Sequence, residues 1–254
     1  MNSVDNNHPS ILFIGHFAID NIIRFKKQNK PTLGGSVTFC SLALRKYTQD
    51  VNIKIFSHLG TLNFKDSLLK IIENKDINLQ GIKYSEVNNT NFLLDYYNHT
   101  RTLTLKSRSP DLEFSDIPQA YLNSPPDVIV LVPLCNEISP SFVSQIVKTF
   151  PDAYVGIDLQ GFIRKINDSG IVSYVHDDNL ISNMKNIINI IGNKLILKGS
   201  EEEMKLLSGR YDNCQEVMNH FHEHYNDGIF IMTLGEGGSM VIKKGEKLLE
   251  IPAF

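Results

Sequence analysis

The run Asp127-Val128-Ile129-Val130-Leu131-Val132 is apolar at every position after its first. Such a strand has no wet face and must be buried on both sides, as inner strands of a parallel sheet are. Parallel neighbours need crossover connections, usually helices, and the chain supplies them. Strand patterns at 11–15, 53–57, 154–158, 194–198 and 229–233 alternate with helical spacing at 36–47, 65–74, 139–150, 180–191, 201–208 and 213–225. In the first of these helices the apolar positions are Val37, Cys40, Leu44 and Tyr47; in the second they are Leu68, Leu69 and Ile72. Alternation of this kind, with right-handed crossovers, predicts an α/β fold, a mostly parallel doubly wound sheet with helices on both faces.

Two stretches break the rhythm. Residues 22–27 follow the first strand too closely to be a helix, and 91–106 read as two strands about a turn at Asn98-His99-Thr100. They predict a small antiparallel β lid, from about residues 20–32 and 90–107, over the carboxyl ends of the parallel strands. A cover in that place excludes water from a site. No repeat or low-complexity linker divides the chain, so one domain carrying a lid is expected over residues 1–254.

Composition narrows the partners. The net charge of −3 and pI of about 6.2 give no global field for nucleic acid or an anionic membrane, so a small soluble molecule is expected. No apolar stretch approaches the roughly 18 residues of a membrane helix, and the N-terminus lacks a basic start with an apolar core. The three cysteines, Cys40, Cys135 and Cys214, are far apart, which fits a reducing cytoplasm. His220 and His224 have a zinc-chelating spacing. However, Asn226 stands where H-E-x-x-H requires histidine, and a solvated helix face is the expectation.

Chemistry concentrates after the strands. The segment Gly15-His16-Phe17-Ala18-Ile19-Asp20 ends the first strand, and Gly34-Gly35-Ser36 opens the first long helix. Asp20 thereby falls where an open sheet presents its ligands. An ionised Asp accepts from two neighbouring hydroxyls, as a polyol requires. Paired glycines let bare backbone approach a ligand while free helix N–H groups point at it. Singly, the Asp reads as a turn residue and the glycines as a plain loop; their spacing about a lid strand favours a ligand. Thr233-Leu234-Gly235-Glu236-Gly237-Gly238-Ser239 brings a buried strand to a Gly-rich turn whose N–H groups can meet phosphate or ribose. It matches neither G-x-G-x-x-G nor G-x-x-x-x-G-K-[ST], and a simple hairpin turn is the competing reading. In Lys198-Gly199-Ser200-Glu201-Glu202-Glu203 three acids complement the dipole of a helix start. The sharper reading has Glu203 hold a water of phosphate-bound Mg²⁺.

Taken in order, these segments resemble the ribokinase-like (PfkB) carbohydrate and nucleoside kinase family over essentially the whole chain. Gly34-Gly35-Ser36-Val37-Thr38 looks like its N-terminal signature, and Asp20 falls at its substrate-hydroxyl Asp. Ser200-Glu201-Glu202-Glu203 is similar to its N-x-x-E element, with Ser200 in place of Asn. The Thr233 strand and turn resemble its nucleotide side, and Asp158-Leu159-Gln160-Gly161-Phe162-Ile163-Arg164 a D-x-Q-G-x-x-R segment of some members. The resemblance implies ATP- and Mg²⁺-dependent phosphorylation of a hydroxyl on a sugar, polyol or nucleoside. It implies that Asp20, Gly34, Gly35, Thr38, Gln160 and Arg164 hold this acceptor. Lys198, Thr233, Gly235 and Gly238 would border the nucleotide, Glu203 would serve the metal, and the lid could form a homodimer edge. Phe39 stands where the family commonly has a sugar-binding Asn, which points away from ribose and fructose towards another polyol, an inositol or a nucleoside.

The family's second signature, D-T-x-G-A-G-D, does not occur in the 254 residues, and the last of them is Phe254, in an apolar run that reads as a strand. Its final Asp is the family's general base. The expectation is of a chain incomplete at its C-terminus, with that base beyond Phe254 and an apolar sheet face left bare. Little turnover is expected from it, since loss of a base costs about 10²–10⁴ in rate. A non-catalytic ligand-binding or regulatory protein derived from the kinase fold is the alternative.

Overall fold

In the computed structural model, which describes residues 8–25, 27–73, 75–97, 100–211, 213–225 and 227–253, the chain starts on an inner strand of a nine-stranded sheet. From β1 (Ser10–Ile14) it runs through β2 (Ala18–Arg24), β3 (Lys27–Gln28) and β4 (Thr32–Gly34) into helix α1 (Ser36–Tyr47). There follow β5 (Asn52–Gly60), the single turn α2 (Lys70–Glu73), β6 (Ile77–Ser85), and the pair β7 (Asn91–Tyr97) and β8 (Thr100–Ser107). The succession continues with α3 (Gln119–Leu122), β9 (Val128–Leu131), α4 (Pro140–Thr149) and β10 (Tyr154–Asp158). A short pair, β11 (Lys165–Ile166) and β12 (Val172–Ser173), precedes α5 (Asp178–Ile191), β13 (Leu195–Ser200), α6 (Glu201–Ser208) and α7 (Cys214–His224). The last strands are β14 (Ile229–Thr233), β15 (Ser239–Lys243) and β16 (Leu249–Ile251).

The large sheet has the order β16-β15-β14-β13-β10-β9-β1-β5-β6. It is parallel from β6 to β14, with β15 and β16 antiparallel at the far edge. The chain winds one way from β1 to β5 and β6, then returns to β9 and winds the other way. The order therefore reverses between β1 and β9, where an open α/β sheet forms its ligand crevice. Side chains alternate between two cores, as the pleat requires. Leu12 and Ile14 of β1 pack with Leu131, Phe142, Met184, Leu207 and Phe221 on one face. Phe13 packs with Val37, Ile55, Ile72 and Val132 on the other. Helices thus lie on both faces. On the second face, Ile196, Ile229 and Ile231 of the β13–β14 region stay only half-buried.

Three elements depart from the sequence pattern. The helix expected over 65–74 is a 3-10 turn at Asp66–Leu68 followed by α2. Lys65 offers no side-chain cap at its start, and so short a segment does not repay helix nucleation. Strand β6 goes unread in the sequence because Asn78, Gln80 and Gly81 interrupt its pattern, and a register shift against β5 accommodates them. Helix α5 starts at Asp178, ahead of its apolar pattern, because the Asp177 carboxylate accepts from Asn179 N and Leu180 N.

The lid is a five-stranded sheet in which β2 pairs antiparallel with β3 and β4, and β7 with β8. Its central pair, β2 with β7, runs parallel, which the expected antiparallel weave did not include. The turn residues Asn98 and His99 lie outside the described residues. Beyond the lid, Leu105 N donates to Gly170 O at 2.7 Å and Thr104 bridges Ile171, so the hairpin of β11 and β12 fastens its outer strand. Among the described residues no helix is long and apolar enough to cross a membrane.

Candidate functional site

The lid is rooted in buried polar groups. The chain leaves β1 through Gly15-His16-Phe17 and returns from β8 through Arg108-Ser109. Between these roots Asn89, fully buried, donates to Phe17 O at 3.1 Å and accepts from Gly60 N at 3.1 Å and Ser109 Oγ at 3.0 Å. Thr90 Oγ1 meets His16 Nδ1 at 3.0 Å, and the other ring nitrogen of His16 lies 2.9 Å from Pro110 O. Below them the buried Glu137 carboxylate accepts from the backbone N–H groups of His16, Leu134 and Cys135. His16, Cys135 and Glu137 lie close enough to suggest a metal cage. Every His16 nitrogen and Glu137 oxygen is already engaged, however, and burial holds the Cys135 thiol protonated. The cluster is a structural knot that fixes where β2 begins.

Asp20, just beyond the first strand, lies within lid strand β2, because Ala18–Asp20 pair with β4. A Cβ on Gly34 would stand 2.1 Å from Asp20 Oδ2, so the carboxylate rests against that residue only because it has no side chain. Gly35 follows as the N-cap of α1, with no side-chain cap and no acid in the first turn. The opening amides of the helix thus keep their positive end for a ligand. Opposite, Asp158 caps the turn that carries Gln160. Arg164 is buried, with Nη1 donating to Leu134 O at 3.0 Å and Nε to the Tyr174 hydroxyl at 3.1 Å.

These residues line one cavity of about 200 Å³, polar at Asp20, Gly35, Ser36, Arg101, Gln160 and Arg164 and apolar at Phe39, Phe92, Leu94, Leu103 and Leu134. Burial pushes the Asp20 carboxyl up to about 6, against the opposing pull of the Arg164 guanidinium. Thr38, expected beside the acceptor, does not reach the cavity. It is buried, and its hydroxyl donates to Gly34 O at 2.8 Å, bracing the loop.

A second cavity, of about 480 Å³, opens at the carboxyl ends of β13 and β14. Ser200, Glu201, Glu202, Lys205, Tyr211, Thr233, Leu234 and Gly235 line it. Thr233 and Gly235 thus border this cavity, but Gly238 does not. It closes the turn by accepting from Leu234 N, and a Cβ there would meet Ile251 O at 2.0 Å, so packing against β16 demands the glycine. Lys198 pairs with Asp158 at 3.5 Å instead of lining the cavity. Glu203 turns inward to complete a capping box with Ser200, its Oε2 accepting from Ser200 N at 2.8 Å. Glu203 is buried and does not line the cavity, whereas Glu202 is exposed at its wall. Arg101, Tyr174, Tyr211 and Glu137 carried no sequence signal, because nothing in a strand or loop pattern says which lid and loop side chains turn inward.

No family model matches the chain, and no curated protein matches its sequence. Solved structures do match. One is a pyrophosphate-dependent kinase in the ribokinase family, complexed with a pyrophosphate analogue and myo-inositol. It is 16% identical with a TM-score of 0.74, over 95% of this chain and 78% of that one. Ribokinase from Thermotoga maritima is 18% identical with a TM-score of 0.72, over 97% and 78%. A fructokinase double mutant from Vibrio cholerae O395, bound to fructose, ADP and potassium ion, is 15% identical with a TM-score of 0.71, over 96% and 76%. The fold is therefore ribokinase-like.

Proposed function

We propose that the first cavity binds a sugar, polyol or nucleoside as the acceptor of an ATP- and Mg²⁺-dependent kinase, with little turnover expected from these 254 residues because they contain no D-T-x-G-A-G-D base. The observation that carries this reading is the Asp20 carboxylate laid against Gly34, in a cavity that also receives the α1 amides, Gln160 and Arg164. A carboxylate with no protein donor on it among the described residues, beside free helix amides, suits two adjacent hydroxyls. Phe39, 59% exposed at the cavity wall, offers a ring face and no hydrogen bond, which favours an inositol, another polyol or a nucleoside. Kinases of the same fold hold myo-inositol and fructose.

The second cavity suits the donor. The Thr233 hydroxyl and the backbone at Gly235 border it, and exposed Tyr211 offers a face for a base. Glu202 would face the Mg²⁺, which neutralises phosphate charge while keeping most of its water ligands. Both cavities follow the carboxyl ends of neighbouring strands, β10 serving the first and β13 and β14 the second. The same reading makes the lid a homodimer edge, with Phe25 on it 91% exposed. Calorimetric titration tests the assignment: Asp20→Ala is expected to abolish acceptor binding and leave nucleotide binding nearly intact. Unchanged acceptor affinity in that variant contradicts it.

A further inference from the structure

The last turn of α7 is not the solvated histidine face that its sequence suggests. His220 is half-buried, and its ring centre lies 4.4 Å from that of His224, one helical turn further on. The His220 ring stands edge-on to Phe221 at 6.3 Å and to Tyr225 at 6.1 Å. Phe221 in turn stacks on Phe230 of β14 at 5.2 Å. Packing therefore fixes one imidazole, while the other, His224, is 54% exposed. His220 Nδ1 is buried and has no hydrogen-bond partner among the described residues. Burial, together with His224, Arg210 and Lys185, lowers the His220 pKa, so near neutral pH the ring is uncharged and keeps a lone pair to donate. Arg210 and Lys185 would repel a cation, but two features oppose them. The Glu223 carboxylate stands 3.7 Å from His224 Nε2. Helix α7 also ends at His224, which puts the negative end of its dipole here. Two imidazoles sharing one ion at about 2.1 Å per bond stand about 5 Å apart between ring centres, so a slight opening of this pair seats the ion.

We infer that His220 and His224 chelate a divalent transition ion of the zinc class and so clip the last turn of α7. Imidazole suits Zn²⁺, Ni²⁺ and Cu²⁺ and not a hard ion such as Mg²⁺. The pair gives two nitrogens, and water or the Glu223 carboxylate completes the shell. The site stands apart from both cavities and does not depend on what they bind.

The test is calorimetric titration of the tag-free protein with Zn²⁺ and Ni²⁺, alone and in excess Mg²⁺. Both transition ions are expected to saturate a site that Mg²⁺ does not compete for. His220→Gln and His224→Gln should each weaken that site by about tenfold or more. His222→Gln, two residues away and on another face of the helix, should leave it unchanged. Cu²⁺ on the native protein supplies a second readout that does not depend on how the variants fold. Its electron paramagnetic resonance spectrum should show coupling to two imidazole nitrogens, falling to one in His224→Gln. The absence of a saturable site, a site that Mg²⁺ empties, or unchanged affinity in His224→Gln overturns the inference, and so does a Cu²⁺ spectrum without two imidazole nitrogens.

Discussion

Replacing Asp20 by Asn should make the empty protein more stable while destroying its site. Folding raises the Asp20 carboxyl from 3.8 to about 6, chiefly through burial. Two pKa units at about 1.36 kcal/mol each set an upper bound of about 3 kcal/mol for ionising this group in the fold. Water at the cavity mouth screens part of this, leaving about 2 kcal/mol. Because the folded value is the higher one, the stability contributed by the protonated carboxyl is whole below the unfolded pKa and is lost as pH rises through about 6. Asn cannot ionise. At pH ~8 Asp20→Asn should therefore exceed the native protein by about 2 kcal/mol, and at pH ~5 the gap should narrow to about 1 kcal/mol. Urea denaturation at the two pH values measures both. His16, whose pKa burial lowers, and Glu137, whose pKa His16 and its backbone donors lower against the effect of burial, both weaken the fold as pH falls. They are common to the two proteins and cancel in the difference. A gap independent of pH, or a less stable Asn variant at pH ~8, refutes the reasoning.

Other perturbations follow from the same geometry. Gly34→Ala puts a methyl 2.1 Å from Asp20 Oδ2 and should cost about tenfold to a hundredfold in acceptor affinity, read by calorimetry; an unchanged affinity means that the carboxylate does not lie where described. Asn89→Ala removes the polar tie between the lid roots and should cost about 3 kcal/mol in urea denaturation, with a loss under about 1 kcal/mol contradicting the assignment. Glu137→Gln keeps one acceptor oxygen but turns its amide NH2 towards at least one backbone donor and should also cost about 3 kcal/mol near neutral pH. Since the folded pKa of Glu137 is depressed, that gap should close as the solution is acidified through it, and a constant gap argues against an ionised Glu137.

The sheet was legible because parallel strands buried on both faces have to be apolar throughout, as residues 127–132 are, and because α1, α4, α6 and α7 repeat apolar residues at helical spacing. Strand β6 was not, since its residues are held by pairing with β5 and not by their own propensity. The acceptor side was half legible. Asp20, Gly35, Gln160 and Arg164 line one cavity, but Thr38 braces its own loop, and at the second cavity Gly238 serves turn closure. A glycine kept for a neighbouring carbonyl and one kept for a ligand look the same in a sequence; only the atom standing where Cβ would be tells them apart. The buried Glu137 knot was invisible because its partners are backbone amides, which every residue carries.

The most direct measurement is a crystal structure of the protein soaked with the tightest-binding polyol. The account predicts two adjacent hydroxyls about 2.7 Å from the Asp20 carboxylate, with the ligand lying against Gly35 and under β8. A ligand seated elsewhere, or one that leaves Asp20 without a hydroxyl partner, contradicts it.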